Sequence, residues 1–333
     1  MAKDLVPKKW QVYKTALGIQ ACGDSREVLA LLPECSVDLI VTSPPFALLR
    51  KKSYGNEEQG DYVDWLVGFG RAAFHALRNS GSFVLDLGGA YQRGKPVRSL
   101  YNYRVLLRFC DELGYRLAEE FFWFNPAKLP SPIEWVNKRK IRAKDSVNTV
   151  WWFSKCDEPK ADVRNVLVPY SKRMQTLLKD PEKFYRPKKR PSGHDISNGF
   201  ANANTGAIPS NLLQIPNTDS NSHYLRMCKT LKRETHPARF PPDLPKFFIE
   251  FLTDPADLVV DIFSGSNTTG FVAEQAGRRW LSIEIDRGFA ALSAVRFMER
   301  MDEQAIRATL RDIDQGIVAT VGTQKEKQGV LFR

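Results

Sequence analysis

Apolar and polar positions along this chain alternate between two patterns. Short apolar runs rich in Val, Ile and aromatic residues lie at 37–43 ("VDLIVTS"), 81–89, 118–126, 147–155, 257–265 and 278–286. Runs this short, closed by small or turn residues, predict buried strands. Between them, 61–78, 102–114, 243–254 and 268–277 carry apolar residues at helical spacing, and the second and fourth end on Gly114 and Gly277. A further helix is predicted over 302–316. Strands and helices in alternation predict an α/β fold: a doubly wound, mainly parallel sheet with helices on both faces.

Residues 155–235 break that rhythm. They are rich in Asn, Ser, Pro and Lys with little periodicity, which fits either a linker or an inserted lobe. The apolar content of "AIPSNLLQI" and "SHYLRM" favours a lobe. The expected organisation is therefore a first half of the sheet domain at 11–154, a lobe at 155–235, a second half at 236–300, and a C-terminal helix and tail at 301–333.

With 333 residues there is room for one large domain or about two ordinary ones. No apolar run approaches the roughly 18 residues of a membrane span. The early lysines of "MAKDLVPKKWQVYK" have no apolar stretch behind them, so no secretory signal is expected, and the protein is read as cytoplasmic. Cys22, Cys35, Cys110, Cys156 and Cys228 form no C-x-x-C pair, and the four histidines are dispersed, so no metal site is expected.

Charge changes the picture more. Of the net +11, residues 171–240 carry +8 and residues 124–144 carry +5, which leaves the rest of the chain at −2. Two basic concentrations on a nearly neutral body fit a polyanion partner better than a uniformly solvated surface. The candidate polyanion contacts are Lys138, Arg139 and Lys140 within 138–144, and Lys188, Lys189, Arg190 and His194 within 183–194.

"VVDIFSGSNTTGFVAEQAG" has the form strand, glycine turn, helix. Gly265 lets the backbone approach a ligand, and the free N–H groups of Ser266, Asn267 and Thr268 point toward it. A well-capped tight turn would look the same. Phe271 stands where a phosphate-gripping lysine would follow, and no G-x-G-x-x-G is present, so neither a P-loop nor a dinucleotide fingerprint applies. Glu284 ends the next strand, about 20 residues after Phe263, where an acid accepts hydrogen bonds from ribose hydroxyls. A ligand with an adenosine moiety is expected.

Ser43-Pro44-Pro45-Phe46 ends the first strand of that set. Two prolines also simply terminate strands. Chemistry gives the tetrapeptide more meaning. An exocyclic base amine is a poor nucleophile, and acceptors must hold its two hydrogens. A serine hydroxyl and the Pro44 carbonyl are such acceptors, fixed in direction by residues with restricted φ and no N–H. An aromatic at 46 stacks on a base taken out of the duplex.

These motifs and their order resemble the amino-directed DNA methyltransferases that use S-adenosylmethionine. The serine of T-S-P-P-F is similar to the cytosine-N4 branch rather than the adenine branch, and the order of base motif, basic lobe and cofactor loop resembles the permuted class called β. The resemblance extends along nearly the whole chain, including "LPSPIEWVNKRKIR", "RPSGHDI" and "HPARFP". It implies double-stranded DNA as substrate, the inner cytosine of CAGCTG as target, and a restriction-modification setting. It also implies a base pocket of Ser43, Pro44, Pro45 and Phe46, with Asp86 supporting the serine, although a carboxylate there equally caps a turn. Around the cofactor it implies Phe263, Gly265 and Glu284, with Asp24 near the adenine amine and His236 and Arg239 near the methionine end. Ser264 departs from the family's usual glycine. Transfer is expected to be direct, since no Pro-Cys pair offers the thiolate of ring-carbon methylation. The rivals are adenine-N6 methylation on the same fold, a DNA-binding protein with a vestigial pocket, and an NAD-dependent oxidoreductase. A monomer is expected.

Overall fold

The computed structural model describes residues 5–46, 61–184, 202, 204–218 and 221–322. It forms two compact units, Met1–Ala161 with Asn211–Arg333, and Asp162–Ser210. The second unit covers only the middle of the 155–235 segment.

Side chains alternate across a strand, so a strand apolar at every position needs cover on both faces. β3 (Val37–Thr42) is buried throughout. Its Ile40 joins one core while Leu39 and Val41 join another. The same division runs through β4 (Leu77–Leu87), where Phe83 and Leu85 face one side and Val84 the other. On β9 (Arg279–Glu284), Leu281 and Ile283 oppose Trp280. The first core is closed by α1 (Ser25–Leu29), α2 (Tyr62–Ala76) and α3 (Tyr101–Asp111). The second is closed by α6 (His223–Leu231), α7 (Asp243–Leu252), α8 (Thr268–Gln275), α9 (Arg287–Ser293) and α10 (Glu303–Asp314). Two helical layers on one sheet make the predicted doubly wound fold.

The sheet has ten strands in the order β10-β1-β2-β9-β8-β3-β4-β6-β5-β7. The remaining strands are β1 (Gln11–Lys14), β2 (Gly18–Cys22), β5 (Arg116–Phe124), β6 (Val147–Ser154), β7 (Leu212–Gln214), β8 (Leu258–Asp261) and β10 (Ala319–Thr320). Pairing is parallel except for β1 with β2 and for β6 with its neighbours β4 and β5. All six predicted strands and five predicted helices form, with shifted ends. Gly114 and Gly277 take φ of 81° and 72°, the left-handed conformation of a helix stop. Among the described residues no helix is long and apolar enough to cross a membrane.

The second unit contains a 3-10 turn at Val163–Val166, α4 (Lys172–Lys179) and α5 (Pro181–Phe184). Val168 bridges Ala207, and the Asn204 N–H donates to the Tyr170 hydroxyl at 3.1 Å.

Candidate active site

From β8 the chain returns through α8 to β9 on one side, whereas from β3 it passes through α2 to β4 on the other. The carboxyl ends of β3 and β8 therefore flank the switch point, where open α/β sheets hold ligands. A cavity of about 820 Å³ opens there, in the size range of small-ligand sites. Its walls include Ser43, Pro44, Pro45 and Phe46, which follow β3, and Asp86 of β4. They also include Phe263, Gly265, Ser266 and Thr268 of the glycine loop, Glu284 at the end of β9, and Asp24, His236 and Arg239 from separate segments.

On the β3 side the Ser43 hydroxyl donates to Asp86 Oδ2 at 3.0 Å. Asn148, on neighbouring β6, donates through Nδ2 to Asp86 Oδ1 at 3.1 Å. Asp86 is buried, which pushes its carboxyl up to about 6, while the two hydrogen bonds and the charge of Lys128 pull it back. The proton of Ser43 is thus committed inward, and its oxygen is left to accept from the cavity. Gly88 leaves space for Phe46: a Cβ there would meet the phenyl ring at 2.5 Å.

On the β8 side, Gly265 has φ +50°, and a Cβ would lie 2.9 Å from the His236 ring. Its N–H donates to Glu284 Oε2 at 2.7 Å, and the Asp286 N–H donates to Oε1 at 2.9 Å. Each Glu284 oxygen keeps a second acceptor direction for a hydroxyl. Burial raises the Glu284 carboxyl, with these bonds opposing the shift. His236 donates from Nδ1 to the Ala238 carbonyl at 2.6 Å and meets Phe289 edge-on at 4.8 Å. Phe263 packs on Phe69 at 4.7 Å and Trp65 at 5.5 Å, both from α2.

Asp261 joins the two sides. Its Oδ1 accepts from the Thr42 hydroxyl at 2.7 Å and the Phe263 N–H at 3.1 Å, and Oδ2 accepts from the Thr269 hydroxyl at 2.6 Å. The residue before Ser43 and the start of the glycine loop thereby share one buried carboxylate, which burial pushes up to about 6.

Not every predicted residue reaches the cavity. Asn267 is fully buried and caps α8: its side chain accepts from the Gly270 N–H at 3.0 Å and from Ser282 at 2.7 Å, and donates to the Tyr13 hydroxyl at 2.9 Å. It shapes the turn from behind. Asp24 caps α1, accepting from the Arg26 N–H at 2.8 Å, and pairs with the Arg26 guanidinium, which holds its carboxyl below the usual range. Both the capping role and the cavity-wall role of Asp24 are therefore present. Lys138, Arg139 and Lys140 lie outside the cavity wall, on a π-helical turn at Glu134–Lys138 and just after it. Lys188, Lys189, Arg190 and His194 lie outside the described residues. Asn148, Asp261, Trp65 and Phe69 are site residues that the motifs did not indicate. A polar residue near the start of a strand, as Asn148 is in "VNTVWW", carries no mark of its own in the sequence.

Residues 37–295, from the start of β3 to just past α9, match the model of the DNA methylase family. The chain belongs to this family. Among its DNA methylase relatives, type II methyltransferase M.PvuII of Proteus hauseri is 58% identical over 291 residues, 87% of each chain. Type II methyltransferase M.Cfr9I of Citrobacter freundii is 26% identical over 86% of this chain and 89% of its own. The solved structure of PvuII DNA methyltransferase, described as cytosine-N4-specific, superposes with a TM-score of 0.77 at 48% identity. It covers 94% of this chain and 98% of that one. TTHA0409 of Thermus thermophilus, solved in complex with S-adenosyl-L-methionine, shares the fold at 18% identity and a TM-score of 0.51, covering 94% and 100%.

Proposed function

We propose that this DNA methylase moves a methyl group from S-adenosylmethionine to the N4 amine of a cytosine in double-stranded DNA, the inner cytosine of CAGCTG. Such a modification shields DNA from an endonuclease that cuts that sequence. The observation that carries this reading is the meeting of Ser43, bonded to Asp86, and the Gly265 loop on one cavity. Serine at the head of the motif and the likeness to M.PvuII favour cytosine N4 over adenine N6, and the likeness also supplies the target sequence.

The glycine loop fits the donor. Gly265 leaves room that any side chain would fill, Glu284 faces ribose hydroxyls, and Phe263 offers an apolar wall. When bound, S-adenosylmethionine supplies a methyl group on a sulfonium centre. Ser43 Oγ and the Pro44 carbonyl accept the two amine hydrogens, drawing nitrogen lone-pair density out of the ring. Phe46 stacks on the base, which reaches the cavity only by leaving the duplex. The proton shed by the methylated amine passes from Ser43 Oγ toward Asp86 Oδ2, which is mostly ionised at neutral pH. No covalent bond between enzyme and base is required.

The test is incubation of the protein with methyl-labelled S-adenosylmethionine and duplex DNA containing CAGCTG, followed by digestion to nucleosides. N4-methylcytosine is expected, together with protection from an endonuclease that cuts CAGCTG. Methyladenine alone would overturn the cytosine assignment, and an unlabelled product would overturn the reaction.

A further inference from the structure

A base that swings out of a duplex leaves a gap in the stack, and apolar side chains are known to insert between base steps of a duplex. The segment joining β5 to β6 supplies a side chain with the properties for this. Asn125, Lys128 and Ser146 from that segment line the cavity. Directly after Lys128 stands Leu129, which is 80% exposed, the highest value for a large apolar side chain among the described residues. The segment that holds it is anchored. Lys144 Nζ donates to the Pro126 and Lys128 carbonyls at 3.2 Å each, and the Asp145 N–H donates to the Ser131 carbonyl at 3.0 Å. Arg98 then grips Asp145 through two bonds of 2.8 Å. Pro130 follows Leu129 and restricts it to extended backbone. Around this side chain the segment from 124 to 144 carries +5.

An apolar finger on a fixed, basic rim, one residue from the cavity wall, has no packing role within the described chain. We propose that Leu129 enters the duplex at the position the target cytosine vacates and holds the base out. It is a positioning residue: it acts on the neighbouring stack and not on the reacting nitrogen. The inference rests on the reading of the site proposed above.

The test compares Leu129→Ala with the unaltered protein on two duplexes under single turnover. One is fully paired, and the other carries an abasic site opposite the target cytosine, where extrusion costs less. Leu129→Ala is expected to slow methylation of the paired duplex roughly ten-fold or more. On the abasic duplex the two proteins are expected to differ by less than about two-fold. Leu129→Met, which keeps the apolar length, is expected to restore the paired rate. Equal loss on both duplexes, loss on neither, or failure of the Met variant to recover would overturn the assignment while leaving the function intact. If the unaltered protein methylates no cytosine in either duplex, the proposed function itself fails.

Discussion

Asp86 has two acceptor oxygens and uses them on different partners, Ser43 and Asn148. Replacing it with Asn leaves an amide that cannot take up a proton, so the proton relayed through Ser43 has no base to receive it. The Asp86→Asn variant is expected to lose about 10²-fold or more in single-turnover methylation while still binding DNA and cofactor. With Asp86 titrating near 6, the unaltered rate is expected to climb between pH 5 and 7 as the carboxyl ionises, and this limb disappears in the variant. Stability runs the other way. A carboxyl raised from 3.8 to about 6 contributes in full below 3.8, and that contribution is lost as pH rises through about 6. Thermal melting at pH 5 and pH 8 checks the sign: the variant gains relative to the parent at the higher pH. Asp261 titrates in the same range and leaves its own stability slope in both proteins. Of this arrangement the sequence discloses Ser43, which ends a predicted strand, and Asp86 only through the family resemblance. Asn148 stays hidden, because its role exists only through the antiparallel pairing of β4 with β6.

β3 and β8 are paired neighbours in the sheet although 219 positions separate Thr42 from Asp261, and their carboxyl ends are tied by the bond between those residues. Thr42→Val leaves a buried carboxylate short of one donor, at an expected cost of about 1–3 kcal/mol in urea unfolding. Gly265→Ala tests the turn itself. The positive φ alone costs about 1–2 kcal/mol, and the added methyl meets His236. Gly277 supplies the comparison, since its φ is also positive but nothing lies within 4 Å. Both alanine variants are expected to melt earlier, and titration calorimetry should show S-adenosylmethionine binding weakened at Gly265 only. The strands that carry the motifs are legible from the sequence because each has a buried stretch that reads as a short, largely apolar run. β1, β2, β7 and β10 are not, because they have two to five residues each and take their form from pairing. α1 escapes for a related reason: its five residues make little more than one turn, too few to establish a helical period.

The charge of the whole molecule divides labour among its parts. The sheet body is close to neutral and holds a cavity in which Asp86 and Glu284 are kept from water, whereas the segment after β5 gathers Lys138, Arg139 and Lys140 on a turn beyond the cavity wall. Lys138 faces Glu134 at 3.3 Å with both side chains exposed, a surface pair worth at most about 1 kcal/mol. A phosphate therefore competes easily for that lysine. Lys140 has no counterpart among the ion pairs of the described residues and takes a positive φ of 54°. If this turn tracks the DNA backbone, Lys140→Ala should weaken binding to target and non-target duplexes by the same factor and reduce the slope of log affinity against log salt by about one. Leu129→Ala, on the same rim, should leave that slope unchanged, because an apolar side chain displaces no counterion. Measuring both slopes on one duplex separates the electrostatic hold on the backbone from the entry of a side chain into the stack. An unchanged slope in the lysine variant would assign this basic turn to the solvated surface and leave the +8 carried between 171 and 240 as the place where the polyanion is held.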